Sequence, residues 1–447
     1  MSSFKRNYRC LQCDYALPKW QGSCPQCRQW NCIELVQAVT PTLNIAKTPP
    51  AELKTLTQIN TTPSRRLLTQ LPEWDRVLGG GIVPGSILIL SGDPGVGKST
   101  LLLQIAQRVS AEHQVIYIST EESAEQVKLR ADRLNIAPER NLLFTDIGCI
   151  ETIISTIEAQ QPALVILDSI QNCYTGAAPQ AAGSLAQVRT AAYLLMRLAK
   201  EQNIAIIITA HVTKEGQIAG PKTLEHIVDA VFYLQSDDSW QTRILRAVKN
   251  RFGPVNELGF FEMETHGLVE VADINQKLLA ELTLAPGSVL VSMLEGSRTL
   301  ILELQALTIP TKFGLPQRVI TGVDHKRVVL IAAILEKYLH VKLSAQDIFF
   351  KVSGGFKLNT SAVDLGIALA LLSSYFQKPL PEKSLALGEL NLTGQIKPIS
   401  QINTLLGDVQ RFGIQNIFSA KNQKLPANAK QHTICLGSVH ELVTIFK

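Results

Sequence analysis

The chain has 447 residues, of which 46% are hydrophobic and 18% charged, and its formal net charge is +5. That length leaves room for two or three domains, and the balance is that of an ordinary soluble protein. No apolar run approaches the ~18 residues that a membrane span needs, and the start, Met1-Ser2-Ser3-Phe4-Lys5-Arg6, lacks the apolar core of a signal peptide, so a cytoplasmic protein without a membrane partner is expected.

Five of the eight cysteines fall within the first 32 residues. Cys10-x2-Cys13 and Cys24-x2-Cys27 stand ten residues apart, and each pair forms a clip that presents two thiolates. Four thiolates satisfy a tetrahedral Zn²⁺. A segment this short has no apolar core of its own, so the metal would supply its folding free energy. A redox dithiol and plain surface thiols are the alternatives, but a redox CxxC normally opens a helix in a thioredoxin-like fold. Cys32 remains as a spare thiol. The first thirty residues also hold Lys5, Arg6, Arg9, Lys19 and Arg28 against one acid, Asp14, with Tyr15, Trp20 and Trp30 interleaved. Those aromatics suit base stacking, or they cover the metal site, the commoner arrangement in so small a ribbon.

The zinc module is assigned to residues 1–35 and a semi-extended linker, with Pro41, Pro49, Pro50 and Pro63, to 36–65. Order returns at Leu67, and Trp74 to Leu78 reads as a short helix closed by Gly79-Gly80-Gly81. The apolar strand Ile87 to Leu90 then enters Gly92-Asp93-Pro94-Gly95-Val96-Gly97-Lys98-Ser99-Thr100, and a helical pattern follows from Leu101. Strand, glycine turn and helix N-terminus aim backbone N–H groups at one point, where a phosphate chain sits. This is a nucleotide-binding P-loop: Lys98 reaches the β- and γ-phosphates, and the Ser99 hydroxyl holds Mg²⁺. Lys98 is expected to face solvent until phosphate arrives.

Strands Val115 to Ile118, Leu164 to Asp168 and Ile204 to Thr209 alternate with helices from Glu121 and over Leu185 to Glu201. That alternation predicts an α/β fold with a mostly parallel sheet, whose ligands bind at the strands' carboxyl ends, where the singled-out residues fall. Asp168 ends its strand as the acid expected to orient Mg²⁺ through water. Glu121 is the favoured carboxylate for polarising the attacking water, with Glu122 as the alternative.

Two further stretches are His211 to Lys222, rich in Gly and Lys, and Lys249-Asn250-Arg251-Phe252-Gly253 after the strand Arg243 to Val248. With the CxxC pairs and the P-loop in this order, the chain resembles the bacterial RadA (Sms) family of DNA-repair proteins, relatives of the RecA recombinases, from Cys10 to the C-terminus. The resemblance implies a RecA-like core over 66–268 and a hexameric, DNA-stimulated ATPase. It implies helicase-like branch migration on single-stranded and branched DNA beside a RecA-type recombinase, and a nucleoid-associated location. The family's zinc ligands match Cys10, Cys13, Cys24 and Cys27, its P-loop lysine Lys98, its acid Asp168 and its signature residues Lys249 to Gly253. Thr120 stands where the family usually has glycine. Lys249 and Arg251 project to one side, as fingers toward a neighbour's γ-phosphate or as contacts to DNA phosphates. The His211 to Lys222 stretch resembles the pore-lining loops of RecA-type rings.

From Val269 the pattern changes. A strand over Leu300 to Leu307, an amphipathic helix from Val328 to Leu339, an apolar helix from Ser361 to Phe376 and a hairpin over Gly388 to Ile396 give an α+β domain, 269–447, resembling the proteolytic domain of Lon. Lon-type proteolysis needs a Ser–Lys dyad. Val363 falls at the nucleophile's place, and Ile402-Asn403-Thr404 offers no lysine, so no peptidase activity is expected. The reading is a scaffold presenting Lys312, Arg318, Lys326 and Arg327 to DNA, or simply solvated charge. An ATP-dependent protease and a nucleotide-gated switch of the clock-ATPase kind are the competing classes.

Overall fold

The computed structural model describes residues 7–36 except Asp14 and Pro18, Thr55, and residues 65–446 except 138, 139, 178–180, 182, 212–223, 237–241, 281, 283, 313, 408, 410 and 428. The chain divides into two compact units, Met1–Pro63 and Ser64–Lys447.

In the first unit β1 (Asn7–Cys10), β2 (Ala16–Leu17) and β3 (Ile33–Val36) form an antiparallel sheet in the order β2-β1-β3. Its buried cluster is Cys10, Leu17, Cys24, Cys32 and Ile33. Three of those five are cysteines, so the interior is built around sulfur rather than hydrocarbon.

The second unit opens with α1 (Pro72–Leu78), whose proline occupies the first turn and whose C-cap, Gly79, sits at φ +89°. Then follow β4 (Ile87–Gly92), α2 (Lys98–Ser110), β5 (Val115–Ser119), α3 (Ala124–Arg133), β6 (Leu142–Thr145), α4 (Ile150–Gln160) and β7 (Leu164–Asp168). α5 (Leu185–Gln202), β8 (Ala205–His211), β9 (Ala230–Ser236), β10 (Thr242–Asn250), β11 (Leu258–Glu264) and β12 (Gly267–Glu270) complete the core. The nine strands pair in the order β12-β11-β10-β9-β4-β8-β7-β5-β6. Pairing is parallel from β9 to β6 and antiparallel from β9 to β12. Alternation along β4 explains the two covered faces: Leu88 and Leu90 pack with Leu101, Leu102 and Ile105 of α2, while Ile87 and Ile89 pack with Ile153 and Leu195 of α4 and α5.

Two local expectations shift. Helix α3 starts at Ala124, because Ser123 and Gln126 form a capping box, and this leaves Glu121 and Glu122 in the turn before it. β10 runs through Lys249 and Asn250 instead of ending at Val248, with a register shift between Ala247 and Lys249.

The C-terminal part comprises α6 (Ile274–Ala280), β13 (Ser288–Glu295), β14 (Arg298–Pro310), β15 (Arg318–Thr321), α7 (His325–Leu339), β16 (Gln346–Val352) and α8 (Asp364–Phe376). After them come β17 (Ser384–Leu387), the β18 (Glu389–Leu390) and β19 (Ile396–Lys397) hairpin, α9 (Ile402–Leu405), β20 (Asn416–Ala420) and β21 (Thr433–Leu436). Its seven-stranded mixed sheet has the order β15-β16-β14-β13-β17-β20-β21. Leu258 and Phe260 of β11 belong to its core cluster, so the two parts of this unit share one interior. A carboxylate seals the seam. Glu73 of α1, almost fully buried, takes both Arg298 amines, Nη2 to Oε1 at 2.6 Å and Nη1 to Oε2 at 3.0 Å.

Candidate nucleotide-binding site and zinc-binding module

β4 is buried along its whole length and delivers Gly92 to the turn. A Cβ on Gly92 would lie 2.1 Å from the Leu234 carbonyl oxygen, which excludes a side chain, and Gly97 at φ +111° holds a backbone conformation that side chains rarely adopt. Gly97, at φ +111°, caps α2 without any side chain over the helix N-terminus, which leaves the first N–H groups open. Lys98 is buried at 5% exposure and donates from Nζ to the carbonyls of Gly92 at 2.9 Å and Asp93 at 3.0 Å. The solvent-facing lysine expected from sequence is therefore corrected: the ammonium is folded back into its own loop. Burial pushes its pKa down, and the carboxylates of Asp168, Glu121 and Asp93 oppose that shift.

Asp168 ends β7, opposite Ser119 of β5. Both its oxygens are held, Oδ1 by the Thr209 hydroxyl at 2.7 Å and Oδ2 by the Tyr117 hydroxyl at 3.0 Å. Full burial, with the Asp168 carboxylate beside it, pushes the Tyr117 phenol far above its ordinary range, so it remains a donor. Neither Thr209 nor Tyr117 was legible as a functional residue, since both read as strand positions. The hydroxyl of Thr120 donates to the Ser169 carbonyl at 2.7 Å and accepts from the Ser169 amide at 3.1 Å, tying the ends of β5 and β7 together. A glycine there has no such hydroxyl.

The two glutamates separate. Glu121 accepts from the Ser169 hydroxyl beside Asp168 and lines a cleft of about 840 Å³ with Pro94, Gly95, Gly97, Lys98, Ser99 and Thr100. Glu122 is not among the cleft's lining residues and forms an ion pair with Arg130 of α3, which is one of them. The cleft's far wall is Met263, Glu264, Thr265 and Gly267, from the β11–β12 turn.

Lys249 and Arg251 do not join this cleft. β10 is antiparallel to β9, so its carboxyl end lies at the amino end of the parallel strands: Asn250 pairs with Ala230, and Ala230 with Leu88. Four residues of β4, about 13 Å, separate that level from Gly92. The expectation that every singled-out residue sits at the strands' carboxyl ends is corrected for this pair, because an antiparallel strand exits at the other edge. Lys249 Nζ donates to the carbonyls of Glu225 and of Val228, the latter at 2.8 Å. Arg251 pairs with buried Asp229 at 3.0 Å and remains exposed. The other signature residues are structural. Asn250 Nδ2 donates to the Leu78 carbonyl at 3.2 Å, and Gly253 packs so close that a Cβ would lie 2.9 Å from Gly79 Cα. His211 ends β8, and the expected pore loop from Val212 to Lys222 lies outside the described residues.

In the first unit the sulfurs of Cys10, Cys13, Cys24 and Cys27 all lie within 4.8 Å of one another. Cys10 to Cys27 is 3.6 Å and Cys13 to Cys24 is 3.5 Å. Four Zn–S bonds of about 2.3 Å at tetrahedral angles set sulfurs about 3.8 Å apart, so the set fits that ion. Cys32 stays outside the four and donates to the Gln29 carbonyl at 3.1 Å and to Cys10 at 3.4 Å.

On the C-terminal domain a groove of about 400 Å³ is lined by Lys357, Thr360, Ser361, Ala362 and Glu389. The Ser361 hydroxyl donates to Glu389 at 2.8 Å, and no amine reaches it among the described contacts. Val363, assigned to the nucleophile's place, is buried in the core. Of the four cations read as a DNA surface, Arg318 is spent on the Gln346 and Leu343 carbonyls and Arg327 on Thr360 and Asp364. Lys312 and Lys326 are exposed.

Residues 49–217 match the family model described as AAA domain, and residues 309–423 match that of subunit ChlI of Mg-chelatase. The chain is 44% identical over 433 residues to the DNA repair protein RadA of Listeria monocytogenes, covering 95% of this chain and 94% of that one. It is 42% identical over 427 residues to the DNA repair protein RadA of Bacillus subtilis, covering 93% of each. Among solved structures it is similar to the RadB recombinase (24% identity, TM-score 0.38, 46% of this chain and 99% of that one). It is also similar to a KaiC-like protein of Pyrococcus horikoshii (19% identity, TM-score 0.41, 47% of this chain and 100% of that one).

Proposed function

The chain belongs to the RadA family of DNA-repair proteins, and on that premise we propose that it is a DNA-dependent ATPase, a helicase-like motor that promotes branch migration on single-stranded and branched DNA. The carrying observation is the cleft in which Lys98, Ser99 and Glu121 face one space with Asp168 behind them. In this reading Lys98 exchanges its two loop carbonyls for β- and γ-phosphate oxygens. Ser99 and Asp168 hold Mg²⁺, which neutralises phosphate charge. Thr209 and Tyr117 keep the Asp168 carboxylate aimed, and Glu121, fixed by Ser169, orients the attacking water. Lys249 and Arg251, at the opposite edge of the sheet, act on a neighbouring subunit's nucleotide within a hexameric ring.

Residues 1–35 form the Zn²⁺ module, 36–65 a linker, 66–268 the motor and 269–447 a non-proteolytic, Lon-like scaffold. A RecA-type recombinase is the partner, and the protein works in the cytoplasm at the nucleoid. No peptidase activity is expected, because Val363 stands at the nucleophile's place and Ile402-Asn403-Thr404 supplies no lysine for a Ser–Lys dyad. The test is ATP hydrolysis with and without single-stranded DNA, beside casein degradation, for the parent and Lys98→Ala. DNA-stimulated hydrolysis lost in Lys98→Ala, with casein intact, is expected. DNA-insensitive turnover, or degraded casein, would overturn the reading.

A further inference from the structure

The first unit spends its few buried positions on the sulfur cluster and leaves its largest apolar side chains outside. Trp30 is 75% exposed, Trp20 59% and Tyr15 43%. Each therefore presents much of its ring to solvent. Tyr15 closes the first cysteine clip, its carbonyl accepting from the Cys10 amide at 2.9 Å. Trp30 flanks the second, bridging Ser23 and packing its ring against Gly22, where a Cβ would lie 3.3 Å away. Both clips thus hold an aromatic ring in solvent on a backbone fixed by the cluster. Exposed indoles on a module this small need a partner to repay their hydration.

Charge selects the partner. Lys19 and Arg28 are exposed, one residue before Trp20 and two before Trp30 in the chain, and the first thirty residues carry five cations against one acid. A neutral or basic protein surface would leave those cations uncompensated. A strand of unpaired bases on a phosphate backbone satisfies rings and cations together. We propose that the cysteine-cluster module is a stacking platform for single-stranded nucleic acid, with Trp20 and Trp30 as base-stacking residues and Lys19 and Arg28 as phosphate contacts. This rests on the DNA-dependent reading above and deepens it, by assigning a DNA grip outside the motor core.

The experiment uses the full chain and oligo-dT, read by anisotropy of a labelled strand and by tryptophan quenching. Trp20→Leu and Trp30→Leu should each weaken oligo-dT binding roughly 5- to 150-fold, the range for losing one stacked base, while the salt slope stays unchanged. Trp20→Phe and Trp30→Phe, which retain a ring, should recover most of it. Lys19→Ala and Arg28→Ala should instead flatten the slope, each by about 0.7 in log K against log salt. An abasic strand, which loses both stacks at once, should bind the parent more weakly than oligo-dT binds either leucine variant. Metal content and DNA-free ATP hydrolysis should be those of the parent in all variants.

Parent-like oligo-dT affinity in the leucine variants overturns the platform, as does a loss confined to binding of a partner protein. If the variants keep normal DNA stimulation of ATP hydrolysis and normal affinity, the platform alone fails. If the parent itself neither binds oligo-dT nor responds to it, the DNA-dependent reading fails with it.

Discussion

Breaking the Glu73–Arg298 pair should destabilise the second unit as a whole, because the motor and the C-terminal part share one interior there. Glu73 has 6% of its side chain exposed and Arg298 23%. Beyond the two Arg298 bonds, Glu73 Oε2 accepts from the Phe260 amide at 3.1 Å and from Arg76 at 3.2 Å, and Arg76 in turn holds Glu257 at 2.8 Å. The Arg298 guanidinium also lies 5.7 Å from the Phe260 ring centre. Removing one partner of a fully buried pair costs about 3–5 kcal/mol, because the other charge is stranded. Here Arg76 still answers Glu73, and Arg298 keeps some water, so Arg298→Ala should cost about 2–3 kcal/mol. Over the 384 residues of this unit (447 − 63), an unfolding entropy of about 2.1 cal/mol/K per residue makes that roughly 3 °C in melting temperature. The assay is a double-mutant cycle, Glu73→Ala, Arg298→Ala and both, by urea unfolding followed through tryptophan emission, to which the buried Trp74 contributes. The double variant should recover about 2 kcal/mol of the summed losses. Additive losses, with coupling below about 0.5 kcal/mol, would refute the seam as an ionic clamp.

Lys249→Ala should bind ATP normally but hydrolyse it about 10²-fold more slowly, since the lost cation acts on charge that develops in the transition state. Mixing it with Lys98→Ala subunits should restore some turnover, whereas a DNA-contact role predicts unchanged DNA-free hydrolysis and no rescue. Glu121→Gln should lower turnover at least ~10²-fold with ATP affinity kept, and Glu122→Gln, which only breaks an ion pair with Arg130, should leave turnover nearly intact; equal effects would deny Glu121 its special aim. Burial pushes the Asp364 carboxyl up to about 6, against Arg327 and the Leu390 amide, which favour its charged form. The fold therefore holds that proton more tightly than the unfolded chain, and stability should fall as pH rises from about 4 to about 6, then level off, by an order of 3 kcal/mol. Asp364→Asn should flatten that step in pH-dependent unfolding; an unchanged profile would assign it elsewhere.

What could be read from the chain was whatever the backbone decides locally. The P-loop is legible because Gly92, Gly95 and Gly97 are needed for φ values of +153°, +77° and +111° whatever surrounds them. The two CxxC clips are legible because four sulfurs at that spacing suit one ion, and the alternation of apolar strands and helices gave the parallel sheet. Three things required the tertiary structure. Lys249 and Arg251 look adjacent to the other site residues in a list of strand ends, but strand direction sends them to the opposite edge, and direction is fixed by pairing, not by sequence period. Lys98 folds back onto carbonyls that only the closed loop supplies. The aromatics of the first unit read as base-stacking residues or, more commonly in so small a ribbon, as cover for the metal site. How far they face solvent is visible only in the structure, where the small interior is taken mostly by sulfur. The Glu73–Arg298 seam was illegible for the same kind of reason: its partners are 225 residues apart, and nothing local marks either as buried.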